Sequence, residues 1–409
     1  MPTASSPEPE RAFSLRSFIP AYYAPAFLWA TGAGVIMPML PLHIRFLGAS
    51  FAETGVIVGM FGLGAFVGNI PGGMVIGHLG KKRAMLLALL LEVGLGVVAA
   101  TIRHPWVMAP IVLGLGVTHT LFFVARLAAF QELVPNDLRG RALSFLGGES
   151  RMGSSLGPVI GGLVADKLGF PAIYLVFGAF SFLVFVLVTV FVPGDTPPVR
   201  QPGASAPEAR FSLAKTNRLL KGNRRELLPA TLASLILTLV RRSRRVLFPL
   251  WGDFIGMAPS GIGLLFGASY LVELALVYPG GWIMDHWGRK KAALPCLLLF
   301  VVGFVILPFA RTSLLFGGVA ALVAVGNGLG SGINMTISTD LAPPGRVVEF
   351  LAVWRTLMEA GGAASPVIVG YAASAFGLPG AAPTLAAIGA VGALVMAFGM
   401  KETLKRSAS

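Results

Sequence analysis

The residues with the most chemistry in this chain are arginines and glutamates that stand inside runs of apolar side chains. Arg241-Arg242-Ser243-Arg244-Arg245 follows the apolar stretch Leu227 to Val240 and precedes Val246-Leu-Phe-Pro-Leu-Trp251. Glu149, Arg151, Glu273, Arg355 and Glu359 sit in similar surroundings. A carboxylate that exchanges one partner for another can carry a proton, and a guanidinium group binds carboxylates and phosphates. Glu273 and Glu359 are therefore the proton-coupling candidates. Glu273 lies midway along the apolar run after the arginines. Glu359 follows Arg355 by one helical turn, an i,i+4 spacing at which the two neutralise each other. The competing reading of each is a static buried ion pair.

Arg241, Arg242, Arg244 and Arg245, together with Arg355, Arg151 and Glu149, are candidates for lining a substrate cavity. At about 100° per residue the four arginines fan over roughly 160° of a helix, one broad face that hydrocarbon cannot accept. Three readings of this quartet stay open. Its members pair with nearby carboxylates or snorkel to headgroups, or they make a wet cavity attractive to anions. If the helix begins later, they sit at the outer mouth. Glu92 reads as a helix-packing residue, His119 as a hydrogen-bonded core histidine, and Arg126 as a cation that snorkels to, or tethers, a cytoplasmic gate.

The elements that hold these residues must cross a membrane. Of 409 residues 55% are hydrophobic and 12% charged, with mean hydropathy +0.78. A soluble globular chain carries about 25% charged residues, so composition points to an all-α, polytopic membrane protein. The net charge of +14 does not indicate nucleic acid, because the cations fall in short loops between apolar runs. The single cysteine excludes an intrachain disulfide, and no Cys/His cluster suggests a metal. No triad, paired-carboxylate or phosphate-loop constellation suggests an enzyme, and no cofactor is expected. Residues 1–18 lack the pattern of a cleaved signal.

Spans of about 20 apolar residues are read near 19–43, 52–76, 84–102, 106–131, 142–165, 170–192, 227–251, 260–284, 292–310, 313–337, 347–374 and 378–400. This divides the chain into an N-terminal tail (1–18), a six-helix bundle (19–192), a Pro/Gly-rich then basic linker (193–226), a second bundle (227–400) and a tail (401–409). With the N-terminus inside, cytoplasmic segments hold 21 Lys and Arg. The opposite side has only Arg45, Arg103, Lys167 and Arg311. That asymmetry places both termini in the cytoplasm.

The halves repeat. Pro71-Gly-Gly-Met-Val-Ile-Gly77-His78-Leu-Gly80-Lys81-Lys82-Arg83 returns as Pro279-Gly-Gly-Trp-Ile-Met-Asp285-His286-Trp-Gly288-Arg289-Lys290-Lys291, an offset of 208 residues. The same offset carries Pro41-Leu42 onto Pro249-Leu250 and Pro158 onto Pro366. The period is half the chain, and parallel halves related by an axis along the membrane normal follow from an even number of spans in each.

On these motifs the chain resembles the major facilitator superfamily, in particular its twelve-helix drug:proton antiporter branch. Gly281-x-x-x-Asp285-His286-x-Gly288-Arg289-Lys290 is similar to that family's loop signature, and Gly73, Gly77, Gly80, Lys81, Lys82 and Arg83 form the first-half copy. In that copy Gly77 stands where the family places Asp. Gly153, Gly157, Pro158, Gly161 and Gly162 resemble the antiporter signature of the fifth span, a packed and kinked gate helix. Gly32-Ala-Gly-Val-Ile-Met-Pro38-Met-Leu-Pro41 resembles the end of the family's first helix. The resemblance implies a multi-pass secondary transporter of the cell membrane, plasma or bacterial inner, working by alternating access. It would export a small organic, drug-like compound, anionic or amphipathic, in exchange for protons. The alternative is an importer or facilitator of an organic anion, and a membrane receptor or scaffold comes third. The expected partners are the substrate, protons and the lipid bilayer, with no nucleic acid, and the working unit is a monomer driven by the proton gradient.

Overall fold

A computed structural model describes residues 18–134, 138–194, 224–343 and 346–404. The basic linker expectation falls on 193–226, most of which lies outside these residues. After a π-helical turn Ile19–Tyr23, the helices are α1 (Ala24–Ile36), α2 (Leu40–Phe46), α3 (Phe51–Leu79), α4 (Lys81–Thr101), α5 (Pro105–Leu133), α6 (Arg139–Leu168) and α7 (Phe170–Phe191). They continue as α8 (Arg224–Phe254), α9 (Pro259–His286), α10 (Arg289–Ile306), α11 (Ser313–Leu329), α12 (Ile333–Leu341) and α13 (Val347–Leu394). Among the described residues no strand occurs, and nine helices are long and apolar enough to cross a membrane. In a bilayer every backbone polar group must be met within the chain, and uninterrupted helices do this. The long helices outside the nine, α6 and α8, are those that carry the charged runs of the fifth and seventh predicted spans.

The turns show why glycine recurs at the repeat offset. Among the described residues, every one with positive φ is a glycine. Six of them pair at 208 residues: Gly48 with Gly256, Gly80 with Gly288, and Gly169 with Gly377. Only glycine takes that conformation without steric cost. Gly377 reverses the chain inside α13, with φ 70° and ψ 165°, so that α13 is two helices back to back. Gly332, the seventh, has no such partner. It marks a break between α11 and α12 that the continuous α5 does not share.

Two seams hold the molecule together, α3 on α13 and α6 on α9. Each is a crossing of bare backbones. A Cβ on Gly55 would lie 2.4 Å from the Pro366 carbonyl oxygen and 2.9 Å from Gly370 Cα. One on Gly263 would lie 2.2 Å from the Pro158 oxygen and 3.1 Å from Gly162 Cα. These contacts are again related by the offset, since Gly55 maps to Gly263 and Gly162 to Gly370. Small residues allow this approach, and dispersion between close backbones replaces the hydrophobic drive that lipid cannot supply. Gly153, Gly157 and Gly161 lie along α1, where a Cβ on each would meet the carbonyl oxygens of Phe27, Thr31 and Val35 at 2.2–2.3 Å. The expected packed face of the fifth span is thus directed at the first.

The seams are tight only at the end where Gly48, Gly169, Gly256 and Gly377 turn the chain. Towards the Gly80 and Gly288 turns, a Cβ on Gly73, Gly77, Gly147, Gly148 or Gly281 would meet nothing within 4 Å among the described residues. The molecule is therefore closed at one end and splayed at the other. At the splayed end each half is laced to itself. Lys81 pairs with Glu132 and Arg289 with Asp340 at 2.8 Å. Lys82 Nζ donates to the carbonyls of Thr189 and Val192, and Lys290 Nζ to that of Ala397 at 2.6 Å. Lys81, Glu132, Lys82 and Thr189 map by 208 onto Arg289, Asp340, Lys290 and Ala397. A lysine at a helix C-terminus meets the negative end of its dipole, so these loops fasten helices.

Candidate functional site

The helix of the arginine run, α8, begins already at Arg224, so the reading that required a later start fails. The run does not form one cavity-lining face. Arg241 turns towards α11, donating from Nη1 to the Gly330 carbonyl at 3.0 Å and to Asn327 through its side chain and carbonyl. The Asn327 carbonyl lies in the last turn of α11, where a helix end leaves acceptors without an intrahelical donor, and the Gly330 carbonyl, in the break itself, also accepts from the Ile333 N–H at 3.3 Å. Arg244 turns towards α9 and pairs with Glu273, its side chain only 3% exposed. Glu273 also accepts from Asn327 Nδ2. Arg242 turns towards α13 and donates to Glu359 at 2.9 Å. Arg245 is exposed and lies within electrostatic reach of His119 on α5 and of Arg242. The single-face expectation failed because three neighbouring helices supply acceptors, and a fan of 160° is wide enough to reach all of them.

The expected Arg355–Glu359 neutralisation is likewise replaced. Glu359 takes Arg242 across the α8–α13 contact, and Arg355 instead lies over the Phe123 ring, 5.7 Å from its centroid. A planar guanidinium on an aromatic face keeps part of its stabilisation without a carboxylate. Arg151 reaches from α6 to the break, donating to Ser331 Oγ at 2.7 Å. Glu149 is within electrostatic reach of Arg126 and Tyr23.

Arg126 does not snorkel. It is 4% exposed, 5.4 Å over Trp29 and 5.8 Å over both Phe122 and Phe123. His119 stacks on Trp29 with centroids 4.1 Å apart and meets Phe61 edge-on. It is a ring in an aromatic stack, and no hydrogen bond to it occurs among the described residues. Glu92 accepts from Trp29 Nε1 at 3.3 Å and Ser181 Oγ at 2.9 Å, which joins three helices as a packing residue should. In the loop motifs, Gly288 lies against the Glu402 carboxylate, which accepts from the Arg289 and Lys290 backbone N–H groups at the start of α10. Asp285 is mostly exposed and 3.7 Å from Arg289.

Asn327, Ser331, Tyr23 and Phe123 were missed as site residues. A signal existed for two of them. Gly326-Asn-Gly-Leu-Gly-Ser-Gly332 is too rich in glycine for an unbroken helix, and its polar residues stand at that break. Among the described residues, no group of three or more His, Cys, Asp or Glu could hold a metal ion.

The family model described as Major Facilitator Superfamily matches residues 26–243 and again 230–408. The chain belongs to the Major Facilitator Superfamily. Its two matches restate the repeat, each covering about one half. The chain is 23% identical over 292 residues to the quinolone resistance protein NorA of Staphylococcus aureus (strain MSSA476), covering 71% of this chain and 73% of that one. It is 22% identical over 360 residues to the multi-drug resistance efflux pump PmrA of Streptococcus pneumoniae serotype 4, covering 86% and 88%. Among solved structures of the superfamily fold, the nucleoside transporter NupG superposes with TM-score 0.76 at 13% identity, covering 94% of this chain and 98% of that one. A D-xylose–proton symporter superposes with TM-score 0.70 at 14% identity, covering 95% and 98%. This superfamily member is an integral membrane transporter, not an enzyme.

Proposed function

We propose that the chain exports a small, drug-like organic compound by proton antiport through alternating access. The observation that carries this reading is the pairing of both carboxylate candidates with arginines of one helix. Glu273 holds Arg244 and Glu359 holds Arg242, in the middle of a space sealed at one end and splayed at the other. A proton on either glutamate releases an arginine on α8, and α8 packs along α13, one side of a seam. Protonation is thereby linked to the contacts that must rearrange for the seal to change ends. The names of NorA and PmrA support efflux as the direction.

Counting α6 and α8 as spans and α13 as two passes turns nine into twelve, in halves 19–192 and 227–400. The lysine and arginine asymmetry then puts the Gly80 and Gly288 turns and both termini in the cytoplasm of a cell-membrane monomer. The splayed end faces inward, ready to load substrate. No cofactor takes part beyond the proton gradient.

The test is efflux of a fluorescent amphipathic dye from vesicles with an imposed pH gradient. Extrusion should collapse when the gradient is discharged and become gradient-independent in Glu273→Gln. Transport that ignores the gradient in the native protein refutes antiport. A second reading, import or facilitated passage of an organic anion, is favoured by the exposed Arg245 and Arg355. Uptake of an anion down its own gradient, unaffected by pH, would select it.

A further inference from the structure

Arg126 leaves a need that the mid-membrane network does not fill. Its Nε and Nη1 are buried and have no hydrogen-bond acceptor among the described residues. Nearby, Glu149 Oε1 and Tyr23 Oη are also buried and unmet. Glu149 is within electrostatic reach of Arg126 and Tyr23, yet Arg126 and Glu149 close no hydrogen bond. Native interiors seldom leave such donors empty, because each costs its full desolvation. The walls are aromatic: Trp29, Phe122 and Phe123 all face the guanidinium.

The other half of the molecule brings a second cation to the same ring. Arg355 lies 5.7 Å and Arg126 5.8 Å from the Phe123 centroid. The two guanidinium carbons are thus within about 12 Å of each other, across the space between the halves. Arg245, also exposed there, shares the neighbourhood of His119 with Arg126. Of the carboxylates around it, Glu359 is held by Arg242 and Glu92 by Trp29 and Ser181, which leaves Glu149 to face Arg126, Arg245 and Arg355.

We propose that this is the headgroup site of an aromatic carboxylate, the anion seated between Arg126 and Arg355 and the aromatic body against Phe123 and Trp29. Arg126 comes from α5 and Arg355 from α13, so an anion held by both draws the splayed ends together. Binding and closure are then one event, and the substrate favours the closed state by the difference in contacts it makes there. Glu149 is the internal rival for Arg126. This inference rests on the space between the halves being the substrate path, and it names the class of substrate.

The probes are 2-naphthoate, 2-naphthamide and 2-naphthamidine, nearly isosteric and carrying negative, zero and positive charge. Their binding to the full chain in lipid nanodiscs is measured by calorimetry. Naphthoate should bind at least about 10-fold tighter than the amide. Arg126→Gln and Arg355→Gln should each abolish that preference, Arg126→Lys should retain part of it, and Glu149→Gln should enlarge it. Thermal melting of each variant separates misfolding from lost recognition. Equal binding of the three probes, or an anion preference unchanged in Arg126→Gln, overturns the proposal. Dye efflux is followed in the same preparations. If efflux persists while the three probes bind alike, the headgroup site is wrong and the exporter reading stands. If no substrate moves in the native protein, the exporter reading itself has failed.

Discussion

Replacing Gly263 by alanine tests whether the closed end is held by backbone contact. The new Cβ would lie 2.2 Å from the Pro158 carbonyl oxygen and 3.1 Å from Gly162 Cα. Both obstacles are main chain, so no side chain can swing away. Relieving the overlap requires α6 and α9 to part by roughly 1 Å at this level. Overpacking of this kind costs about 1–3 kcal/mol. Because the strain exists only where the seam is closed, it shifts the balance of the two conformations by about 5- to 150-fold towards the state open at this end. The assay is a pulsed electron-resonance distance between nitroxides at Val107→Cys and Leu315→Cys, both exposed near this end. Cys296, the one native cysteine, is buried and leaves the background unlabelled. Gly263→Ala should add a longer distance and lower the transport rate. Gly281→Ala is the control, since its Cβ meets nothing within 4 Å. It should leave the distances unchanged and gain about 0.5–1 kcal/mol of helix stability. An unaltered distance distribution in a folded Gly263→Ala protein would show that the seam has slack, and the argument from backbone contact would be wrong.

Glu273→Gln strands Arg244, whose side chain is 3% exposed, without its anion. We expect a loss of about 3–5 kcal/mol by thermal unfolding. The double variant Glu273→Gln with Arg244→Met should regain most of that stability while pH-driven efflux stays lost. Unchanged melting in the single variant would mean the pair is not closed in the membrane. At the splayed end, Glu132→Gln should cost within about 1 kcal/mol and less still in high salt, because its pair with Lys81 is well exposed. Asp340→Asn should cost about 2 kcal/mol, since the Arg289–Asp340 pair is mostly covered. Equal losses at the two sites would contradict the exposure argument.

Much of the architecture was legible in the residues. The apolar runs and the 208-residue offset announced repeated apolar helices, because lipid permits few alternatives to a spanning helix. The same repeat sets Gly80 and Gly288 at matched places, and the glycines of α6 read as a packing face. Glu273 was also legible as a partner for the arginine run, since the next span in a bundle is a natural neighbour. The reading failed wherever a side chain had a choice of neighbours. Arg242 rather than Arg355 neutralises Glu359, although Arg355 is one turn away on the same helix. Arg126 is enclosed by Trp29, Phe122 and Phe123 rather than drawn to a headgroup.

What the sequence alone determined is the set of helices, their repeat and the places where glycine must turn the chain. These depend on local hydropathy and on φ, which each residue carries with it wherever it goes. Only the tertiary structure decided which helix each arginine of the run addresses, that α11 breaks where its twin α5 does not, and which end is sealed. Those outcomes depend on the rotation of one helix against another, and a few tens of degrees there exchange one acceptor for the next.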